Sequence, residues 1–174
     1  MEILTIQLGT CRLRTFRRDD DASIALHADD RAVWINVRDR FPHPYSLDNA
    51  RDFLDKVVGK SPSTDFAIEV EGRAVGSIGI TMGEDVFCRS AEVGYWLGRA
   101  YWGRGIASAA LRAVTQHAFE RFDLNRLHAG VFAWNPASAR VLEKAGYAFE
   151  GRLRSAVTKD GRTTDQLLYA ITRE

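Results

Sequence analysis

The chain has 174 residues, 45% of them apolar, and 24 Lys plus Arg against 23 Asp plus Glu, a formal net charge of +1. That length suits one domain whose core folds without a disulfide or metal staple. The balanced, mixed charge argues against a disordered chain and against a general nucleic-acid binder, and no apolar run reaches the roughly 20 residues of a membrane span. Cys11 and Cys88 form no CxxC pair, and the first residues lack the basic flank and long apolar run of a secretory signal. The expectation is a soluble, cytoplasmic protein.

Residues 11–17 (CRLRTFR) read as a first strand with Leu13 and Phe16 apolar. Asp19, Asp20 and Asp21 suit the positive end of a helix over 22–28. A further helical stretch at 31–38 follows a break near Asp29 and Asp30. FPHPY at 41–45 holds two prolines and reads as a loop. Ser46 is a good N-cap for a helix with the apolar stripe Leu47, Ala50, Phe53, Leu54, Val57 and Val58. Residues 65–70 and 74–82 read as a hairpin around Glu71-Gly72-Arg73.

Residues 91–98 form a further predicted strand, with Val93, Tyr95 and Leu97 on one face and Glu92, Gly94 and Trp96 on the other. The turn Tyr101-Trp102-Gly103-Arg104-Gly105 opens the strongest helix, in which Ile106, Ala110, Ala113, Val114 and His117 share a stripe. Residues 126–134 are apolar on both faces, as in a central strand. Asn135 and Pro136 start a short helix ending at Gly146. Strands at 147–158 and 165–172 flank a turn at Lys159-Asp160-Gly161-Arg162. No repeat, low-complexity tract or linker interrupts the chain, so the expectation is one α+β domain over 1–174 with a mixed sheet.

Several chemistries lack their residues. His27, His43, His117 and His128 make no HExxH or HxxH spacing, and there is no GxSxG elbow. Gly98 to Gly103 has the GxxxxG spacing of a phosphate loop, but Arg104 and Gly105 stand where Lys and Ser/Thr belong. Ser108 replaces the third glycine of a dinucleotide fingerprint. What survives is strand, glycine turn and long helix. Amides at a helix start are unpaired and lie at the positive end of the dipole, so main-chain donors from Gly103 to Ser108 can hold a pyrophosphate without metal. The alternative is purely structural: both glycines make a tight turn and Ala107 packs the helix on the sheet.

AEVGYWLGRAYWGRGIASAALRAV, residues 91–114, resembles the acetyl-coenzyme A motif of the GNAT superfamily of N-acetyltransferases. More narrowly, it resembles the RimJ/RimL-like branch, named for enzymes that acetylate N-termini of ribosomal proteins. Thr10, Arg12, Leu13 and Arg14 match that branch's start, Pro42, Pro44 and Tyr45 its proline loop, and NPASARVLEKAGYAFEG (135–151) its Asn-x-x-Ser helix and Gly-aromatic turn. The resemblance implies a single-domain GNAT-like α+β fold. Its sheet would be mixed, mostly antiparallel and twisted, flanked by helices, with a splayed central strand pair.

It also implies acetyl-coenzyme A as cosubstrate and no metal. Trp102, Gly103, Arg104, Gly105, Ile106, Ala107 and Ser108 would hold the pyrophosphate. Trp102 stands where the family usually has Gln or Arg, which shifts weight to the amides, aided by Arg99 or Arg104. Tyr95, Trp96 and Leu97 would bind the pantetheine arm, with Asn135 and Ser138 at its thioester end. As a cap, Asn135 also has a purely structural reading.

Acetyl transfer needs a neutral amine close to the thioester carbon. Glu92 is the candidate base, on a strand leading to the cofactor loop; a solvated or Arg-paired Glu is the bland reading. Leu142 occupies the position where many relatives carry a tyrosine acid, so Ser138 is the candidate donor to the leaving thiolate. The acceptor wall is expected from Trp34, Arg38, His43 and Tyr45, for a protein N-terminal α-amine or a small-molecule amine. Dimers are common among similar proteins, so a homodimer is implied by resemblance alone. Two other readings stay open: a non-catalytic acyl-coenzyme A-binding or interaction module, and more weakly a nucleotide-binding oxidoreductase.

Overall fold

The computed structural model describes residues 5–173. Thr5–Leu8 (β1) and Cys11–Thr15 (β2) form an antiparallel hairpin, of which only the second strand has a clear sequence signature. Asp21–Ala28 (α1) follows, but the aspartates before it do not cap it as expected. The Asp20 carboxylate is buried and accepts hydrogen bonds from the Arg14 guanidinium at 2.6 and 2.7 Å and from the Arg17 amide at 2.8 Å. The next helix, Arg31–Trp34 (α2), is much shorter than the predicted 31–38, although Asp30 caps it through the Ala32 amide. Leu47–Val57 (α3) starts where the Ser46 hydroxyl accepts from the Asn49 amide at 3.1 Å. Ala50 and Leu54 are its buried stripe, while Leu47 is exposed.

Asp65–Val70 (β3) and Arg73–Met82 (β4) are the expected hairpin. Then come Ser90–Leu97 (β5), Ile106–Arg121 (α4), Arg126–Phe132 (β6), Pro136–Lys144 (α5), Ala148–Lys159 (β7) and Arg162–Thr172 (β8). Among the described residues the strands form one open eight-stranded sheet in the order β1-β2-β3-β4-β5-β6-β8-β7. The fold is α+β and the sheet mixed: β5 and β6 run parallel, whereas β1 to β4 and the β6-β8-β7 set pair antiparallel. By contact density the chain falls into two compact units, one running to Gly79 and taking in Tyr95–Ala110, the other made of Ile80–Gly94 and the chain from Leu111 onward. The division falls inside β4, β5 and α4.

In the first unit the core gathers Phe16, Ile24, Ala28, Tyr45, Ala50, Leu54, Ala67 and Ala74. Beside this apolar set, Arg14 on β2 is 2% exposed and pairs with Asp20 and with Glu69 of β3, and Arg12, directly opposite Glu69 in register, also binds that carboxylate. Burial pushes the Glu69 carboxyl up, but hydrogen bonds and charge from Arg14 and Arg12 outweigh it and hold it below the usual carboxylate range. In the second unit β6 buries Leu127, Ala129 and Val131, and α4 contributes Leu111, Val114 and Ala118. A buried hydroxyl pair, Thr115 Oγ1 with Tyr147 at 2.8 Å, ties α4 to the turn after α5.

A group whose folded pKa is depressed binds its proton more weakly when folded. Its contribution is complete above the unfolded value, about 4.3 for Glu, and disappears as pH falls. Glu69→Gln should therefore cost about 3–5 kcal/mol at pH 7, because Arg14 is left buried with a weaker partner. Denaturant titrations at pH 7 and pH 3 check this: the gap between wild type and variant should shrink at the lower pH.

Candidate active site

The first unit carries the glycine turn. A single 3-10 turn, Arg99–Tyr101, links β5 to residues 102–105, and α4 begins at Ile106. Gly103 and Gly105 have φ of 72° and 74°, a region costly for residues with a Cβ. A Cβ at either position would meet no atom within 4 Å, so the turn needs these glycines for backbone conformation and its outer surface stays open. The first helical bond runs from the Ala109 amide to Gly105 O at 3.0 Å, which leaves the amides before it ahead of the ladder. Among the described residues, no main-chain bond outside the helix uses the amides of 103–108. Ile106 and Ser108 are buried, Ala107 half-buried, and Trp102, Gly103, Arg104 and Gly105 exposed.

Side chains brace this turn. Trp102 Nε1 donates to Leu97 O at 2.7 Å, so the residue that replaces the family's polar side chain anchors the turn to the end of β5. The Arg104 guanidinium lies 5.3 Å from the centroid of the Tyr101 ring, which in turn meets His27 edge-on. Burial, with the Arg73 charge, holds the His27 imidazole below its usual pKa.

Trp34, His43, Tyr45 and Trp96 belong to the same unit. Trp34 stacks on His43 with centroids 5.4 Å apart, and Arg31 lies over the Trp34 ring. His43 Nδ1 is 3.7 Å from Asp29, whose carboxylate also accepts the Tyr45 amide. Tyr45 does not form an open wall as expected. It is 7% exposed in the core, and burial pushes its phenol up to about 12. The loop is Pro-rich, but Phe41 packs on both Tyr45 and Trp96 and holds Tyr45 inward. Arg38 is exposed, and Tyr95 and Trp96 are half-buried. Sequence reasoning missed Asp29 and Phe41, whose roles depend on residues brought close by the fold.

The second unit holds Glu92, Asn135 and Ser138. Glu92 is half-buried on β5 and paired in register with His128. That is the last of three parallel pairs, since the ladder ends there while β5 continues to Leu97 and β6 to Phe132. Ser90 Oγ lies 3.4 Å from His128 Nδ1 on the same ladder. Asn135 caps α5, its Oδ1 accepting from the Ser138 amide at 3.3 Å, so its amide nitrogen keeps its donors and the Ser138 hydroxyl is not the capping group. Leu142 is fully buried.

Residues 11–148 match the Acetyltransferase (GNAT) domain family. The chain belongs to that family. Among GNAT relatives it is 42% identical over 83 residues to a probable N-acetyltransferase of Bacillus subtilis, YjcK, an alignment covering 48% of this chain and 46% of the relative. It is 35% identical over 82 residues to the ribosomal-protein-serine acetyltransferase of Escherichia coli, covering 47% and 46%. The chain thus spans about half the length of these curated relatives. A solved GNAT structure, Mycobacterium smegmatis RimJ in complex with CoA-disulfide, superposes with a TM-score of 0.83 at 28% identity, over 98% of this chain and 86% of that one.

If the glycines serve conformation, Gly105→Ala should cost about 1–2 kcal/mol through the positive φ alone, with no clash to relieve. Thermal unfolding without ligand measures this, and an unchanged midpoint would show that the turn adopts another conformation at no cost.

Proposed function

We propose that this chain moves an acetyl group from acetyl-coenzyme A to a primary amine, a protein N-terminal α-amine or a small-molecule amine, by direct attack in a ternary complex. The observation that carries the reading is the open glycine turn ahead of α4, in a chain of the GNAT family. The turn's chemistry fits a pyrophosphate: main-chain donors, space where side chains would stand, and the positive end of a 16-residue helix. Residues 102–108 would hold it, and main-chain groups of Tyr95, Trp96 and Leu97 would take the pantetheine. Because Trp102 already occupies the Leu97 carbonyl, that strand would offer its other polar groups. Acetyl-coenzyme A supplies, when bound, an acetyl group activated as a thioester.

The remaining chemistry belongs to the chain. Glu92 takes the proton from the acceptor nitrogen at its carboxylate. An α-amine, with a pKa near 8, yields that proton more readily than a lysine-like amine near 10. The Asn135 amide nitrogen and the Ser138 hydroxyl serve the thioester end, where Ser138 holds a proton at Oγ for the departing sulfur. Trp34, Arg38 and His43 face the acceptor, with Tyr45 supporting them from the core. That the RimJ relative was solved with a coenzyme A derivative and the Escherichia coli relative is named for a ribosomal-protein substrate supports the reading.

A ligand bound only to the folded chain adds about 2.7 kcal/mol at a hundredfold excess over its Kd. Acetyl-coenzyme A should therefore raise the unfolding midpoint by several degrees, whereas NAD and ATP should not; the opposite order sinks the reading. Gly105→Asp should lose this shift, and Gly105→Ala, destabilised by the same positive φ, should keep most of it. Glu92→Gln should retain the shift but lower turnover about a hundredfold or more, as loss of a general base does. Rates across a pH series check the last point, and an undiminished rate at neutral pH removes Glu92 from the mechanism.

A further inference from the structure

The β6 strand carries a glycine within an apolar run, and its surroundings explain it. A Cβ on Gly130 would collide with Nε2 of Gln166 and stand 2.7 Å from its Cδ. The Gln166 amide thus lies in the space that any other residue at 130 would fill. Gln166 is on β8 opposite Phe132, and Gly130 is opposite Leu168, so the amide leans two register pairs back along the ladder.

Register decides which face this is. Glu92 pairs with His128, His128 with Ala170, Gly130 with Leu168 and Phe132 with Gln166. Paired residues share a face and successive residues alternate, so Glu92, His128, Gly130, Leu168 and Gln166 lie on one side of the sheet. The opposite side, Ala91, Val93, Leu127, Ala129 and Val131, is buried throughout. On the shared side these five residues keep partial exposure, between Ala170 and Phe132, which register puts on the same side and which are buried. Among the described residues the Gln166 side-chain amide has no hydrogen-bond partner, and none of its atoms is fully buried without one. Its polar atoms are therefore available to a ligand.

One strand step of about 4.8 Å and two residues of about 3.3 Å each place Gly130 roughly 8 Å from Glu92 along this face. A carboxylate and an amide carried on one face from backbone positions that far apart can hydrogen-bond, respectively, an amine and the carbonyl oxygen one carbon removed from it. That is the spacing of an aminoacyl N-terminus. A simple alkylamine offers nothing for the amide to bind.

We propose that Gln166, whose amide lies over Gly130, determines acceptor specificity by donating a hydrogen bond to the carbonyl oxygen next to the acceptor amine. This deepens the acetyltransferase reading and rests on it, with Glu92 as the base.

The test measures kcat/KM with acetyl-coenzyme A for hexapeptides differing in their first residue and for a matched alkylamine. Gln166→Leu should lower the peptide-to-alkylamine ratio about tenfold, mainly through the peptide KM, as loss of one hydrogen bond does. Gly130→Ala, which pushes the amide away, should lower the ratio in the same direction. An unchanged ratio in Gln166→Leu overturns the proposal. A second measurement is independent of turnover: the Gln166 side-chain amide resonance, assigned by its disappearance in Gln166→Leu, is followed in protein saturated with coenzyme A. It should move on adding a peptide and stay put with the alkylamine; the same response to both overturns the proposal. If no amine is turned over yet the resonance follows the peptide, the acetyltransferase reading fails and only the amide's contact with the peptide stands. Turnover with an unchanged ratio gives the reverse.

Discussion

Three parallel residue pairs, ending at Glu92 and His128, are all the pairing between β5 and β6. So short a ladder leaves most of β5 free of β6, while β6 draws its order from β8 along its whole length. Glu92 therefore occupies the last position where both neighbouring backbones are held. Its carboxylate sits on the less packed side of a strand pair whose other side is solid core. A side chain placed there gains a rigid base without full burial, a condition under which a carboxylate can exchange protons with a substrate.

Elsewhere the demands of folding and of the proposed chemistry fall on the same atoms. A helix start must leave several amides without intrahelical partners. At α4 the chain meets that requirement with a glycine turn open to its surroundings, and at α5 it uses the Asn135 side chain. Trp102 shows the same economy, since its indole ties the turn to β5 with a hydrogen bond where a polar side chain would otherwise point outward. Arg14 is a different case. Its guanidinium is fully engaged by Asp20 and Glu69, and it joins β2, β3 and the start of α1 with no part in the proposed reaction. The first unit thus specifies its strand register with charge as well as with apolar packing.

Much was legible from short stretches of chain. The α4 stripe, the Ser46 and Asn135 caps and the 65–82 hairpin follow from periodicity and capping chemistry, which neighbouring residues settle among themselves. The misses have a common cause. Asp20 has the residue type of a cap but meets a buried Arg14; residues 31–38 have helical composition, yet α2 ends at Trp34; Tyr45 sits in a Pro-rich loop but is drawn inward by Phe41. In each, the deciding partner lies outside the local pattern.

By itself, then, the sequence determined the order and type of most elements, the glycine turn ahead of the long helix and the family to which that turn belongs, because those depend on residues within one or two turns of each other. Only the tertiary structure decided that the β5–β6 ladder stops at Glu92, that Tyr45 is core, and that Gln166 fills the space Gly130 leaves. Strand register and burial are set by contacts between residues far apart in the chain, and no local periodicity encodes them.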